Sequence, residues 1–546
     1  MSALSTTLRD ETFHWLADDF DEAGKAELQT VLASAMAGNA EAVADLADRM
    51  AGPLAFGTAG LRGPVRAGRN GMNRAVVTRT TAGVATWLTA HGHVGGTVVV
   101  GRDARHGSED FHTDAADVLA AAGFDVQVLP EPLPTPVLAF AVRHLGAVAG
   151  VQITASHNPP ADNGYKLYDS TGGQIVPPTD QEVEAAIAGM PAAVSVQRAR
   201  TWSTIGSSLL EAYLDRAAAL PRGTARDIRI ALTPMHGVGG ATAVEALRRA
   251  GFVDVRVVRA QAVPDPDFPT VAFPNPEEPG ATDLLLELAA SFDADLAIAL
   301  DPDADRCAIG VRVDGDWRML RGDETGPLLG SYVLSTLDGS VDPLVATTIV
   351  SSELLGAIAR ANGARYAETL TGFKWLVRSG EGLVFAYEEA LGLCVDPDAV
   401  RDKDGISAAV AAADLAASAK AGGRTVPELL DGLAVAHGVH LTEQIALRMP
   451  ELARIGQLMT RLRQSPPAEL GGVPVTTEDL LPDADVYRLR GAGLRVVVRP
   501  SGTEPKLKAY LEIVEPVGDA AELATAKQRA GERLATLRDE VTALLS

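Results

Sequence analysis

Ala121-Ala122-Gly123-Phe124-Asp125-Val126-Gln127-Val128-Leu129 decides how this chain is read. An alanine-rich helix runs into a glycine that can take the left-handed cap conformation, and an apolar extended stretch follows at once. The junction recurs at Arg249-Ala250-Gly251-Phe252, ahead of Val255-Arg256-Val257-Val258. It recurs again at Ala361-Asn362-Gly363-Ala364, before a third short extended stretch. Another apolar run precedes each helix, at Val98-Val99-Val100 and over residues 228–232 and 344–350. Strands alternating with helices at this interval predict α/β units with largely parallel pairing. Gly123 and Gly251 are 128 positions apart and Gly251 and Gly363 are 112, a spacing that suits three related α/β domains.

The two ends of the chain read differently. Residues 11–50 follow a helical pattern, with Trp15, Leu16, Leu28, Val31, Leu32, Met36, Val43, Leu46 and Met50 on the apolar side and acidic residues between them. Short strands over 486–490, 494–499 and 508–514 lead to an Ala/Leu-rich terminal helix, a separate α+β domain. The expected division is a helical extension over 1–50, α/β domains over 51–210, 211–322 and 323–440, and the α+β domain over 441–546. The fold class is α/β: three related domains with mixed, largely parallel sheets plus the C-terminal domain, arranged around a central cleft. The proline-rich stretch Pro264-Asp265-Pro266-Asp267-Phe268-Pro269 reads as an irregular surface loop.

Composition narrows the class. At 546 residues the chain exceeds what one hydrophobic core supports. An apolar fraction of 47% and a charged fraction of 22% describe a globular protein with ample core. The net charge of −23 argues against nucleic acid and anionic membrane as partners, and obliges any anionic substrate to find a local basic pocket. Only Cys307 and Cys394 occur, so no disulfide framework is expected and a reducing compartment is. The start is charged and amphipathic, with no run of 18 apolar residues, which points to a cytoplasmic protein.

Each α/β repeat then delivers one unusual loop. Thr154-Ala155-Ser156-His157-Asn158-Pro159-Pro160 follows the strand-like Gly150-Val151-Gln152-Ile153, and its prolines forbid a continuing helix. Taken alone, Ser156 and Asn158 make an ordinary turn. The second loop, Asp301-Pro302-Asp303-Ala304-Asp305-Arg306, changes that reading. Its three alternating carboxylates repel one another unless a cation sits between them, and hard oxygen ligands suit Mg²⁺. It is not an EF-hand loop, because Arg306 stands at the sixth position and Arg312 at the twelfth. The third loop is Glu388-Glu389-Ala390. In the C-terminal domain, Arg499-Pro500-Ser501-Gly502-Thr503-Glu504-Pro505-Lys506 follows a strand and offers a guanidinium fork with a turn able to cradle an anion.

Other residues gain meaning only in company. Phe56-Gly57-Thr58-Ala59-Gly60-Leu61-Arg62-Gly63 is a glycine-rich turn ending in arginine, and Lys166 falls ten residues after Ser156. His157 beside Ser156 invites a serine-hydrolase reading, but no G-x-S-x-G elbow surrounds the serine. His236, in Pro234-Met235-His236-Gly237, reads as a satisfied turn residue.

Together these motifs resemble the α-D-phosphohexomutase family, the phosphoglucomutases and phosphomannomutases. The loops around Ser156, around Asp301, at Tyr387-Glu388-Glu389-Ala390 and at Arg499 resemble the family's phosphoserine, metal, sugar-recognition and phosphate loops, in family order. The Trp15-Leu16 helix, the Arg62 turn and Thr371-Gly372-Phe373-Lys374-Trp375 resemble a longer subgroup that includes phosphopentomutases and glucose-1,6-bisphosphate synthases.

The resemblance implies catalytic roles for Ser156 as phosphoryl carrier, Lys166 as general acid–base, and His157 and Arg62 in support. It implies one Mg²⁺ per chain on Ser156, Asp301, Asp303 and Asp305, and a sugar bisphosphate activator. Arg306, Thr371, Gly372, Lys374, Glu388 and Ala390 would contact the sugar, and Arg499, Ser501, Gly502, Thr503 and Lys506 the non-reacting phosphate. Lys166 would need a depressed pKa, which a neighbouring arginine would help produce. The implied substrate is a small phosphosugar, with glucose and/or mannose 1- and 6-phosphates interconverted through a bisphosphate. The alternatives are a phosphopentomutase or a glucose-1,6-bisphosphate synthase. Many hexose members carry serine where this chain has Ala390. A sugar-phosphate-binding protein without activity would be expected to have lost Ser156 or a metal aspartate, and all are present.

Overall fold

The computed structural model describes residues 4–55, 60–337, 342–449, 452–501 and 506–546. The chain forms two compact units. The first comprises Met1–Pro221, Arg229–Gly310 and Asp396–Ala413; the second comprises Arg222–Ile228, Val311–Val395 and Asp414–Ser546.

Three helices open the first unit, Thr6–Asp18, Glu22–Met36 and Ala40–Arg49. The side chains of Ser5, Asp21 and Asn39 cap them by accepting from backbone N–H groups of the first turn. Trp15, Leu28, Leu32, Val43 and Leu46 bury against Ala67 and Ala75 of the following module. Met36, read as part of the apolar face, is instead 57% exposed, because it occupies the last position of its helix.

The first sheet has six strands in the order Leu61–Pro64, Asp162–Asp169, Ala149–Ile153, Thr97–Arg102, Asp125–Val128, Ser203–Thr204. Its last three pairings are parallel and its first two antiparallel. In the second sheet Val255–Val257, Ile230–Thr233 and Leu296–Leu300 pair parallel, and Cys307–Val313 returns antiparallel. The third sheet, in the second unit, repeats the scheme: Arg365–Thr369, Leu344–Thr348 and Leu383–Glu388 are parallel and Gly392–Cys394 returns antiparallel. Parallel strands lie under helices on both faces and so read as continuous apolar runs; Val98, Val99 and Val100 are all fully buried. The helices Ser108–Ala121, Gly240–Arg249 and Leu354–Ala361 each end before a glycine with positive φ, at Gly123, Gly251 and Gly363.

This shared topology explains where the three unusual loops fall. Each joins a parallel-paired strand of its sheet to the antiparallel strand that follows, after Ile153, Leu300 and Glu388. A chain that reverses there leaves a short loop at the C-terminal ends of parallel strands, where open α/β sheets bind ligands. The C-terminal domain is a five-stranded antiparallel sheet over Val439–Arg448, Lys506–Glu515, Leu494–Pro500, Tyr487–Gly491 and Thr476–Asp479. The helix Leu523–Leu544 covers it through Ala526, Ala530, Leu534, Leu537 and Val541. Three α/β modules and an α+β domain are thus observed. Among the described residues, no helix is long and apolar enough to cross a membrane.

Candidate active site

Ser156 sits in the left-handed region at φ 52°, with Thr154 Oγ1 accepting from its backbone N–H at 2.9 Å. For a residue with a Cβ that conformation costs roughly 1–2 kcal/mol. Arg105, 4% exposed, holds it there. Its guanidinium donates to the carbonyls of Ser156 and Asn158 at 2.6 Å each, Pro159 at 2.8 Å and Asp162 at 3.1 Å. Hydrogen bonds from a charged group are worth about 1.5–3 kcal/mol each, so four outweigh the strain. The Ser156 hydroxyl then donates to Asp301 Oδ2 at 2.9 Å and lies 3.2 Å from His157 Nδ1.

Asp301, Asp303 and Asp305 are fully buried, and one oxygen from each lies within 4.8 Å of the others. Lys166 reaches the centre from the strand Asp162–Asp169, its Nζ 2.7 Å from both Asp303 Oδ2 and Asp305 Oδ2. Thr135 Oγ1 donates to Asp303 Oδ2 at 2.5 Å, and Lys403 Nζ lies 3.2 Å from Asp305 Oδ2. Two ammonium groups cannot neutralise three carboxylates. Burial, then Asp305 and Asp303, accordingly push Asp301 well above the usual carboxylate range. Burial also opposes ionisation of Asp303 and Asp305, but Lys166 holds both below that range, assisted at Asp305 by Lys403 and Arg306.

This donor set fits a hard cation. Asp303 Oδ1 and Asp305 Oδ1 are buried without a hydrogen-bond partner, beside a hydroxyl and a third carboxylate. All-oxygen ligation of this kind suits a divalent ion of the magnesium class, so the cluster could hold a metal ion.

The expectation of a depressed Lys166 pKa is not met. Burial and Arg62 push it down, but Asp303 and Asp305 outweigh them and the pKa is raised. His157 is held well below its ordinary value by burial, then by Arg306 and Arg62, and is neutral. Arg62 stands in Leu61–Pro64, in register with the Lys166 strand, and donates to Asn158 Oδ1 at 3.0 Å; residues 56–59 of its motif lie outside the described residues. Arg306 binds Asp301 Oδ1 through its backbone N–H at 3.0 Å, and its side chain lies 3.9 Å from Asp305 and from Glu277. Ser156, His157, Lys166, Arg62, Arg306 and the three aspartates therefore meet in one place.

Two stretches support the acidic loop from beneath. Met235 and His236 are both left-handed, His236 lies 2.8 Å from Thr270 Oγ1, and Val238 N donates to Pro302 O at 2.8 Å. A Cβ on Gly237 would overlap the Pro302 backbone. On the other side Gly405 N donates to Ala304 O at 3.1 Å. Asp402 accepts from Tyr168 and Gln174 at 2.8 Å each. Asp404 accepts from Tyr213 at 2.8 Å and from Ile406 N and Ser407 N at 3.0 Å, and burial pushes it up to about 6. Sequence reading missed Arg105, Thr135, Asp402 and Lys403. The charged run Asp402-Lys403-Asp404-Gly405 ahead of an alanine-rich helix was a signal available for the last two.

In the second unit, Glu388 ends its strand and Ala390 follows in the turn, both half-buried. Glu389 is turned toward the fold: its N–H donates to Ser351 Oγ at 3.1 Å, and its Oε2 accepts from Ser351 Oγ at 3.1 Å and Thr348 Oγ1 at 3.3 Å. Gly372, at φ 112°, follows Thr371 and starts the short helix Phe373–Leu376, which carries Lys374 and packs Phe373 and Leu376 against Leu383 and Ala386. Arg499 lies near the end of Leu494–Pro500, and Ser501 N donates to Lys506 O at 2.8 Å, closing the loop at its base. Gly502 and Thr503 lie outside the described residues.

The same sheet is tied to the turn behind Glu389. Glu512 accepts from Ser352 Oγ at 2.6 Å and from Arg495 at 2.8 Å, and Arg495 also donates to the Ser351 carbonyl. Burial opposes the Glu512 charge, but Arg495 and His440 lower its pKa to about 2.

Four family models match in sequence order. They are the phosphoglucomutase/phosphomannomutase α/β/α domain I over residues 53–192, domain II over 211–315, domain III over 321–435, and the C-terminal domain over 445–526. A probable phosphomannomutase of Haemophilus influenzae is 42% identical over 81% of this chain and 93% of its own. A human phosphopentomutase is 32% identical over 94% and 92%. A phosphoglucomutase of Staphylococcus aureus is 32% identical over 85% and 90%. The crystal structure of a putative phosphomannomutase from Thermus thermophilus superposes with a TM-score of 0.70 at 25% identity, over 88% of this chain and 99% of that one. The chain belongs to the phosphoglucomutase/phosphomannomutase family of the α-D-phosphohexomutases, and it is an enzyme, an isomerase of the phosphomutase type that transfers phosphate within its substrate.

Proposed function

We propose that the enzyme interconverts the 1- and 6-phosphates of glucose and/or mannose through a phosphorylated Ser156 and a sugar bisphosphate. The observation that carries this reading is the Ser156 hydroxyl bonded to Asp301 inside a buried carboxylate cluster. In the first half-reaction the P–O bond to Ser156 Oγ breaks as a sugar hydroxyl oxygen bonds phosphorus, and the sugar hydroxyl's proton ends on the departing Ser156 Oγ. In the second, Ser156 Oγ attacks the other phosphate of the bisphosphate as the sugar P–O bond breaks, and the serine proton ends on the departing sugar oxygen. Mg²⁺ on Asp301, Asp303, Asp305 and Ser156 would neutralise charge on the transferring phosphoryl oxygens.

Lys166, which enters this cluster as an ammonium, is the proposed proton donor to the departing oxygen, with neutral His157 and Arg62 beside the serine. Arg306, Thr371, Gly372, Lys374, Glu388 and Ala390 are the proposed sugar contacts, and Arg499, Ser501, Gly502, Thr503 and Lys506 the proposed holders of the non-reacting phosphate. The five-part division of the chain at residues 50, 210, 322 and 440, a cytoplasmic location and activation by a sugar bisphosphate belong to the same reading.

The pentose alternative has its own support in Ala390 and in the near full-length match to a phosphopentomutase. The deciding experiment is kcat/KM on glucose, mannose, ribose and deoxyribose 1-phosphates with a bisphosphate activator present. Preference for either hexose supports the proposal, and preference for a pentose replaces it. Net formation of bisphosphate from a second phosphoryl donor would identify a synthase.

A further inference from the structure

The proline-rich stretch over residues 264–269 is an irregular loop exposed at Pro264, Asp267 and Pro269, as expected, but one of its side chains is buried. Phe268 is 3% exposed and sits at φ 45°, a region that bulky residues rarely enter. Its ring lies 5.0 Å from the Arg105 guanidinium carbon and edge-on to His236 at 6.5 Å. Next to it, Asp267 Oδ1 lies 2.7 Å from His106 Nε2, and Asp265 N donates to the His236 carbonyl. This segment of the second α/β module therefore ends on the guanidinium that grips the backbone carbonyls of the serine loop of the first.

We propose that Arg105 is a positioning residue for phosphoryl transfer, with Phe268 as the face that orients it. The argument rests on the reading of Ser156 as phosphoryl carrier. Four carbonyls, those of Ser156, Asn158, Pro159 and Asp162, converge on a single planar donor group. A planar fork satisfies them simultaneously, and a lysine ammonium, with three donors on one atom, does not. The fork is itself fixed from two sides. Asp103 Oδ2 lies 3.4 Å from Arg105 Nε, and Phe268 covers the guanidinium face, an arrangement that strengthens when water is excluded. Two left-handed residues, Ser156 and Phe268, thus flank one buried cation. When the grip loosens, Ser156 relaxes out of the left-handed region and its Oγ swings away from Asp301. The sugar contacts are untouched, so the loss falls on kcat and leaves KM in place.

The test uses the full-length enzyme, with Ser156 phosphorylated by a sugar 1,6-bisphosphate and followed by intact mass, and with Mn²⁺ affinity and thermal midpoint measured in parallel. Arg105→Lys is expected to lower kcat about 100-fold, as a misplacement near 1 Å does, with KM changed less than about twofold and Mn²⁺ affinity retained. Phe268→Leu is expected to lower kcat about tenfold, and Phe268→Tyr, which keeps the aromatic face, to restore it. Wild-type kcat in Arg105→Lys overturns the proposal, as does a change confined to the thermal midpoint. Should Arg105→Lys fail to fold, the Phe268 pair decides: equal kcat for Leu and Tyr reduces the ring to packing and overturns the proposal. Absence of any phosphate adduct on wild-type Ser156 instead overturns the phosphoserine reading, and this inference with it.

Discussion

Ser156 Oγ and Asp301 Oδ2, 145 positions apart in sequence, share a 2.9 Å hydrogen bond between two buried loops. Both loops occupy the same topological place, between a parallel-paired strand of a sheet and the antiparallel strand that follows. The bond therefore joins two copies of one structural solution, a hydroxyl from one and a carboxylate from the other.

Ser156→Ala removes the hydroxyl and leaves the Arg105 grip on the backbone carbonyls intact. Turnover should fall by at least about 10³-fold, the scale seen when a covalent nucleophile is deleted. A one-phosphate adduct should disappear from the intact mass while the far-ultraviolet circular dichroism is unchanged. An adduct that persists in the variant would move the nucleophile elsewhere.

Chelation should abolish activity and Mg²⁺ should restore it, because Asp303 and Asp305 keep buried oxygens without hydrogen-bond partners. Asp303→Asn should weaken the metal requirement curve by raising the Mg²⁺ concentration for half-maximal rate. Full activity in excess EDTA would remove the metal assignment.

Gly322→Ala should damage sugar recognition selectively. A Cβ there would overlap the Glu389 carbonyl oxygen, and backbone cannot step aside as a side chain can. The cost of such overpacking is about 1–3 kcal/mol. We expect KM for the sugar phosphate to rise about tenfold, the scale of that cost, with Ser156 still phosphorylated by intact mass. An unchanged KM would show that the loop tolerates displacement.

Asp404 has its pKa raised by burial to about 6, against an ordinary value of 3.8. Between those values the folded protein binds a proton that the unfolded chain has released, so this group's contribution to stability falls as pH rises from 4 to 6. Asp404→Asn keeps acceptors for Tyr213 OH and the helix N–H groups without that charge. Its stability relative to the parent should improve by up to about 3 kcal/mol between pH 4 and pH 7, from two pKa units at 1.36 kcal/mol each. Parallel thermal midpoints for the two proteins across that range would refute the assignment.

Glu512 works in the opposite sense. Its pKa is lowered from 4.5 to about 2, with burial opposing and Arg495 and His440 prevailing. Its stabilising contribution is present above pH 4.5 and is lost as pH falls toward 2. Glu512→Gln should flatten acid unfolding in that window while leaving a buried Arg495 without its carboxylate, so the variant should be less stable by about 3–5 kcal/mol at pH 7. Denaturant titrations at pH 7 and pH 3 should show the gap closing on acidification.

Much of this was legible in the residues. Gly123, Gly251 and Gly363 mark three helix ends because a left-handed cap is a local requirement, and all three have positive φ. The alternation of Asp301, Asp303 and Asp305 announces a cation-demanding loop because like charges repel at any distance the loop allows. Phe268 and Lys166 show where local reading stops. A proline-rich stretch reads as surface, yet Phe268 is buried on a guanidinium more than 160 residues upstream. A lysine near an arginine reads as depressed, yet two aspartates from another module raise it.

By itself, then, the sequence determined the module count, the glycine-capped helix ends and the acidic loop, since periodicity, capping and charge repulsion act over a few residues. Only the tertiary structure decided that burial and its two neighbours push Asp301 above the usual carboxylate range, which side chain holds Ser156 in a strained backbone, and that Lys166 meets Asp303 and Asp305 as an ammonium. Those outcomes depend on burial and on charges brought together from distant parts of the chain, and no local pattern records either.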